Sequence, residues 1–107
     1  MTTFDKREDA FEKKFAHDAD LRFKAEARRN KLLGAWAAGL LGKRGADADA
    51  YTKSVIEADL EQAGDEDVFR KIRRDFDAAK VPQSDHQIRR TMDEMMQAAI
   101  NQIRNEG

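Results

Sequence analysis

The chain of 107 residues contains no cysteine, which excludes disulfide bonds, thiolate metal sites and thiol nucleophiles. Its formal net charge is only −1, which argues against binding to nucleic-acid phosphates or anionic lipid through bulk charge. No apolar run is long enough to cross a bilayer, because the longest, Leu32 to Leu41, is interrupted by Gly34 and Gly39. No basic patch followed by an apolar run opens the sequence, so we expect no signal peptide, no direct membrane insertion and a cytoplasmic location.

Charged residues, in contrast, make up 38% of the chain, and apolar residues make up 40%. The apolar residues recur at helical spacing, and strand-like alternation appears nowhere. Proline occurs once and glycine six times, at positions that separate the periodic segments. The pattern therefore predicts an ordered, all-α protein with a single core.

Four helices are predicted after a short N-terminal segment. The firm part of the first helix is expected to begin near Asp20, and Gly42-Lys43-Arg44-Gly45 stops it. A second helix follows Asp47, a third opens at Asp65 and breaks at Pro82, and the fourth follows a Ser-x-x-Gln capping box that starts at Ser84. We expect a four-helix bundle over residues 19–107 and a mobile segment over residues 1–18.

In the first of these helices the apolar residues form one stripe, with Arg28 and Arg29 expected on the opposite side or at its rim. The stripe consists of Leu21, Ala25, Leu32, Trp36 and Leu40, with Leu33, Ala37 and Leu41 beside it.

The N-terminal segment has an unusual pattern. Phe4, Phe11 and Phe15 are seven and four residues apart, so they share one face of a helix. The eight charged residues between them are four basic and four acidic, and little else in the segment is apolar. Three aromatic rings on so thin a stripe are typical of a helix that binds a groove on a partner, although such a helix can also fold back on its own domain.

Other candidate sites are weak. Gly42-Lys43-Arg44 lacks the earlier glycine and the following Ser or Thr of a phosphate-binding loop, so we interpret it as a helix stop. Glu57, Asp59 and Glu61 have no Glu-x-x-His partner and are interpreted as a solvated acidic face. His17 and His86 are too few for a metal site, although His17 could sense pH at the joint after the aromatic segment.

We therefore expect no enzymatic activity, no metal and no cofactor, since no constellation of side chains supports nucleophilic or acid–base catalysis. Two basic clusters, Arg70 to Arg74 and Arg89-Arg90, leave open an alternative function. In it, the chain is a helical adaptor that binds nucleic acid or an acidic protein.

Two long stretches of mixed polar and aromatic residues resemble the zeta subunit of alphaproteobacterial F-type ATP synthases. They are Phe4-Asp5-x-Arg7-Glu8-x-Ala10-Phe11-Glu12-x-Lys14-Phe15-Ala16-His17-Asp18 and the run from Leu21 to Gly34. Shorter matches occur at Gly64 to Val68 and at His86 to Arg90, so the resemblance covers essentially the whole chain. Departures are confined to places such as Lys43-Arg44 and the C-terminal helix.

The resemblance implies an inhibitor of ATP hydrolysis. Members of that family insert the N-terminal segment into the catalytic head, between the alpha and beta subunits and near the gamma subunit. Carried onto this chain, the inhibitory segment is residues 1–18. Its expected partner-binding residues are three aromatic anchors and four charged residues: Phe4, Phe11, Phe15, Arg7, Glu8, Lys13 and Lys14.

Overall fold

A computed structural model of the protein describes residues 3–59 and 65–106, with side chains from Ala10 onward in the first helix. Over these residues the chain forms five α-helices and no strand. In chain order they are α1 (Thr3–His17), α2 (Ala19–Leu40), α3 (Gly45–Asp59), α4 (Glu66–Ala79) and α5 (Asp85–Glu106). The prediction of an all-α protein is thus confirmed for the described part of the chain.

Helices α2 to α5, called the helical core below, share one apolar interior. Helix α2 packs along α3 and α5, and α4 packs on the same two neighbours. The buried positions of the last three helices are those that the helical spacing predicts, and Trp36 packs edge-on against Phe76 at 5.6 Å between ring centroids. These buried side chains are Tyr51, Val55, Val68, Ile72, Phe76, Ile88, Met92, Ala99 and Ile103. The neighbour order is compatible with a four-helix bundle, which stays a prediction, as does the mobility of residues 1–18.

The helix stop after α2 is confirmed. Gly42 has a positive φ of 74°, a conformation that glycine adopts without steric cost. The amide of Lys43 donates to the carbonyl of Ala38 at 2.9 Å, and the amide of Gly42 donates to that of Gly39 at 3.2 Å. This pair of bonds satisfies carbonyls that the end of the helix would otherwise leave unpaired.

The starts of α3 and α5 can be compared with their predicted signals. Helix α3 begins at Gly45, earlier than the expected start after Asp47, because the carbonyl of Arg44 already accepts from the amides of Asp47 at 3.1 Å and Ala48 at 3.4 Å. The capping box of α5 is confirmed. The Ser84 amide donates to Gln87 Oε1 at 3.0 Å, and the Gln87 amide donates to Ser84 Oγ at 3.1 Å.

The buried face of α2 differs from the predicted stripe. Ala25, Leu33 and Ala37 are buried as the pattern predicts, and Gly34 and Ala38 are buried with them, whereas Leu32 and Trp36 are only half-buried and Leu40 is 40% exposed. The reason is the close approach of α3, since a Cβ built on Gly34 would lie 2.8 Å from the Cα of Thr52. Two helices so close have room only for small side chains between them, so the large apolar residues lie toward the edges.

The expectation that Arg29 lies opposite the core or at its rim is wrong. Its side chain is 1% exposed and lies at the ends of α3 and α4. Arg29 Nε donates to Asn30 Oδ1 at 2.7 Å, and Nη1 donates to Asp65 Oδ1 at 2.9 Å. Asn30 Nδ2 in turn donates to Asp59 Oδ2 at 2.9 Å. Asp59 is therefore a partner of a buried cation and not part of a solvated acidic face, because a buried charge requires such pairing.

Candidate functional site

The N-terminal segment forms a helix of its own. Helix α1 runs through most of residues 1–18, which the spacing of its aromatic residues predicts. The side chains of Phe4, Arg7 and Glu8 lie outside the described residues, so their predicted roles stay predictions. Lys13 and Lys14 are exposed to solvent, where they can contact a partner.

Phe11 and Phe15 lie side by side on one face of α1. Their ring centroids are 6.1 Å apart with an interplanar angle of 30°, and both side chains are only half-buried. The shared face predicted from their spacing is confirmed for these two residues. Two adjacent rings that keep part of their surface in water form an apolar patch suited to deeper burial elsewhere.

One residue, Asp18, separates α1 from α2. It has an extended backbone conformation, with φ −105° and ψ 104°. Its carboxylate accepts from the amides of Asp20 at 3.0 Å and Leu21 at 3.2 Å, so it caps α2. Helix α2 consequently begins with its own cap and does not depend on α1 for its first turn.

The aromatic face of α1 is turned toward the ends of α2 and α5. The guanidinium group of Arg104 lies over the Phe11 ring, 6.0 Å from its centroid. A crevice of about 290 Å³ remains between these elements, lined by Phe11, Lys14, Leu21, Lys24, Ile103, Arg104 and Glu106. The Phe11 ring therefore lies at the opening of a crevice that it fills only in part.

Charged residues hold the end of α5 against α2 beside this crevice. Arg28 makes a two-pronged ion pair with Glu106, and Lys24 Nζ lies 3.5 Å from Glu106 Oε2. The hydrogen bonds from Arg28 hold the pKa of the Glu106 carboxyl below its ordinary value, with a further contribution from Lys24. The last turn of α5, up to Glu106, is thus tied to α2.

The basic clusters are largely neutralised within the protein. Arg73 donates to Asp77, Asp85 and the carbonyl of Gln83, at 2.7 to 3.0 Å. Lys71 pairs with Asp75, Arg70 with Asp67, Arg89 with Glu66, and Arg90 with Glu94. Arg89 also stacks over Phe69 at 3.8 Å. Cations that are already paired are poor ligands for phosphate, so this arrangement does not favour the adaptor alternative.

The remaining candidates form no catalytic arrangement over residues 3–59 and 65–106. His17 and His86 are exposed, as is Glu57, while Glu61 lies outside the described residues. Within this part of the chain, no three His, Asp or Glu side chains cluster in a way that could hold a metal ion.

Two features of this region were missed from the sequence. Arg104 had no predicted role, because it lies in a last turn that was expected to fray. Arg29 was missed because a charged residue is placed on the surface by default. The sequence offers one signal for the burial of Arg29, which is the presence of Asp59 at the end of α3 and Asp65 before α4.

Comparison with known protein families decides the identity. The family model described as ATPase inhibitor subunit zeta matches residues 1–102. The chain belongs to this family. The zeta resemblance seen in the sequence is thereby confirmed, and this zeta-family protein is classed with inhibitor subunits of an ATPase. The matched residues include α1 and all of the helical core except the last residues of α5.

The chain is also similar in sequence and fold to a solved structure. The zeta-family chain is similar to a protein of known solution NMR structure, with 44% sequence identity and a TM-score of 0.71. The similarity covers 81% of this chain and 99% of that chain. No match was found among curated proteins. No helix in the described part of this chain is both long enough and apolar enough to span a membrane.

Proposed function

We propose that this zeta-family protein inhibits ATP hydrolysis by inserting α1 into the catalytic head of the F-type ATP synthase. The binding site is the interface of the alpha and beta subunits, near the gamma subunit. The helical core, as a four-helix bundle, holds the segment in position and keeps the protein folded. Family membership supports the inhibitory role, and the division of the chain at Asp18 supports the assignment of that role to α1.

The observation that carries the proposal is the half-buried pair of Phe11 and Phe15 on a helix that the core does not need for its own cap. Moving these rings into a subunit interface buries apolar surface that is partly exposed to solvent in the free protein. Buried aromatic anchors of this kind contribute on the order of 2 kcal/mol each to an interface. Lys13 and Lys14 flank the rings and supply polar contacts, and Phe4, Arg7 and Glu8 extend the same contact surface toward the N-terminus.

Inhibition follows from where the helix binds. A helix placed between subunits whose arrangement changes during rotation stabilises the one arrangement that fits it. Its binding free energy is then added to the barrier for leaving that arrangement. An inhibitor of this kind needs no catalytic group.

Deletion of residues 1–18 tests the proposal. The truncated protein loses the Asp18 cap of α2 but retains Ala19 onward and every buried residue of the core, so we still expect a helical, cooperatively unfolding protein by circular dichroism. ATP hydrolysis by the cognate catalytic head is then measured with the whole and the truncated chain. Loss of inhibition with retained folding supports the proposal, whereas full inhibition by the truncated chain contradicts it.

A further inference from the structure

We propose that the crevice between the start of α2 and the end of α5 is a docking site for α1, and that α1 must leave it before it can bind the catalytic head. The inference rests on the proposed function of α1, and it adds a resting state in which the inhibitor covers its own anchors. The docked face is the one that carries Phe11 and Phe15.

The first support is that the same aromatic ring serves both states. Phe11 is half-buried by contact with the helical core and lies under the Arg104 guanidinium. The part of the ring that contacts the helical core is not available to a partner, so full burial of Phe11 in a subunit interface requires α1 to leave the crevice. Docking and insertion are therefore mutually exclusive.

The second support is that the contact between α1 and the helical core is weak. The ring centroid lies 6.0 Å from the guanidinium carbon, at the outer limit for a cation–π contact. About 290 Å³ of the crevice remains unfilled beside the ring, so α1 gains little of the dispersion energy of a packed core. A weak contact of this kind permits release without unfolding of the core.

The third support is that the walls that α2 and α5 contribute to the crevice are held in place without α1. Its walls are held by the Arg28–Glu106 and Lys24–Glu106 pairs and by the buried side chain of Ile103. Asp18 caps α2 by itself, so release of α1 leaves the first turn of α2 intact. The backbone at Asp18 is the only non-helical point between α1 and α2, and it serves as the hinge.

This arrangement predicts how docking affects inhibition. The apparent dissociation constant for the head equals the intrinsic constant divided by the fraction of undocked protein. Weakening the docked state therefore strengthens inhibition. Removal of a cation–π contact near the surface shifts such an equilibrium by roughly two- to fivefold.

The test compares Arg104→Gln with Arg90→Gln, a control on the same helix whose arginine pairs only with Glu94 among the contacts found for it. Docking is read from the NOE between the Phe11 ring and the side chain of residue 104, and from ¹⁵N relaxation of residues 3–17. Inhibition is read as the concentration that halves ATP hydrolysis by the cognate head. For Arg104→Gln we expect faster motion of α1 and a half-inhibitory concentration roughly two- to fivefold lower. Arg90→Gln should match the unmodified chain.

Several results would overturn the inference. One is the absence of a Phe11–Arg104 NOE in the unmodified protein, and another is an NOE found only between differently labelled copies, which makes the contact intermolecular. A half-inhibitory concentration that is unchanged or higher in Arg104→Gln overturns it as well. These outcomes are distinct from failure of the proposed function, which is shown by full inhibition from the chain lacking residues 1–18 and leaves the NOE result readable.

Discussion

Arg29 and Asp65 form an ion pair of 2.9 Å that joins the middle of α2 to the residue preceding α4. The arginine side chain is 1% exposed, whereas that of Asp65 is 53% exposed. The free-energy cost of losing the partner therefore differs between the two residues. A buried cation left without partners is expensive, while an exposed carboxylate is readily solvated.

We predict that Arg29→Ala destabilises the protein by about 3 kcal/mol, because it opens a cavity and removes the cationic partner of the half-buried Asp59 carboxylate, which keeps only the hydrogen bond from Asn30. Asp65→Asn should cost about 1 kcal/mol or less, since the amide oxygen still accepts from the guanidinium. Chemical denaturation of the two variants measures the difference. Equal losses of unfolding free energy in the two variants would show that the Arg29–Asp65 pair, and not burial of the Arg29 side chain, determines the stability of this network.

Gly34 provides a second stability test with a matched control. A Cβ at this position meets the Thr52 backbone at 2.8 Å, so Gly34→Ala must push α2 and α3 apart. We expect a loss of about 1–3 kcal/mol. Gly39, on the same helix, has nothing within 4 Å of the corresponding Cβ.

Gly39→Ala should consequently raise stability by up to about 1 kcal/mol, because alanine is the better helix former. Thermal and denaturant unfolding of both variants checks the pair. A stabilising Gly34→Ala would contradict the close approach of α2 and α3.

Tyr51 makes stability depend on alkaline pH. Burial raises the pKa of its hydroxyl well above the ordinary value of 10.0, and the hydrogen bond to Asp75 at 2.9 Å raises it further. The folded protein thus keeps a proton that the unfolded chain releases near pH 10. The contribution of this group is fully present below that pH and is lost as the pH rises through the folded pKa.

We predict that the stability difference between the native chain and Tyr51→Phe narrows above about pH 10. Subtraction of the two unfolding free energies at each pH removes the contribution of the lysines, which both proteins share. A difference that stays constant from pH 8 to pH 11 would show that the hydroxyl is not protected.

The aromatic pair of α1 is the test of the inhibitory surface. Phe11→Ala with Phe15→Ala should weaken inhibition by at least about tenfold, because the anchors contribute on the order of 2 kcal/mol each and any loss of docking offsets part of the effect. Phe23→Ala is the control, since this residue is 62% exposed on α2 and lies outside residues 1–18. Inhibition that falls equally in both variants would contradict the assignment of the site to α1.

The sequence predicted those features that depend on local chemistry. The stop at Gly42 and the box at Ser84 each rest on hydrogen bonds between neighbouring residues, and both are confirmed. The aromatic spacing likewise placed Phe11 and Phe15 on one face.

Features that depend on how helices meet were not predicted. The burial of Arg29 requires the ends of α3 and α4 to converge on α2, and the burial of small residues in α2 requires the contact between Gly34 and Thr52. The apolar spacing of α2 does not reveal either arrangement. Leu32, Trp36 and Leu40 have the same helical spacing as the residues that are buried, so the sequence alone does not show which of the two faces the interior. The contact between Phe11 and Arg104 also depends on how helices meet, because the two residues lie near opposite ends of the chain.

The central claim is that α1, and not the helical core, contacts the catalytic head. Its most direct test is photo-crosslinking from a photoreactive phenylalanine analogue placed at position 11, with the same analogue at position 23 as control, in the inhibited complex of the cognate ATP synthase. The account predicts crosslinks from position 11 to the alpha, beta or gamma subunits and much weaker ones from position 23. Head crosslinks from position 23 but none from position 11, in a complex that is still inhibited, would contradict it.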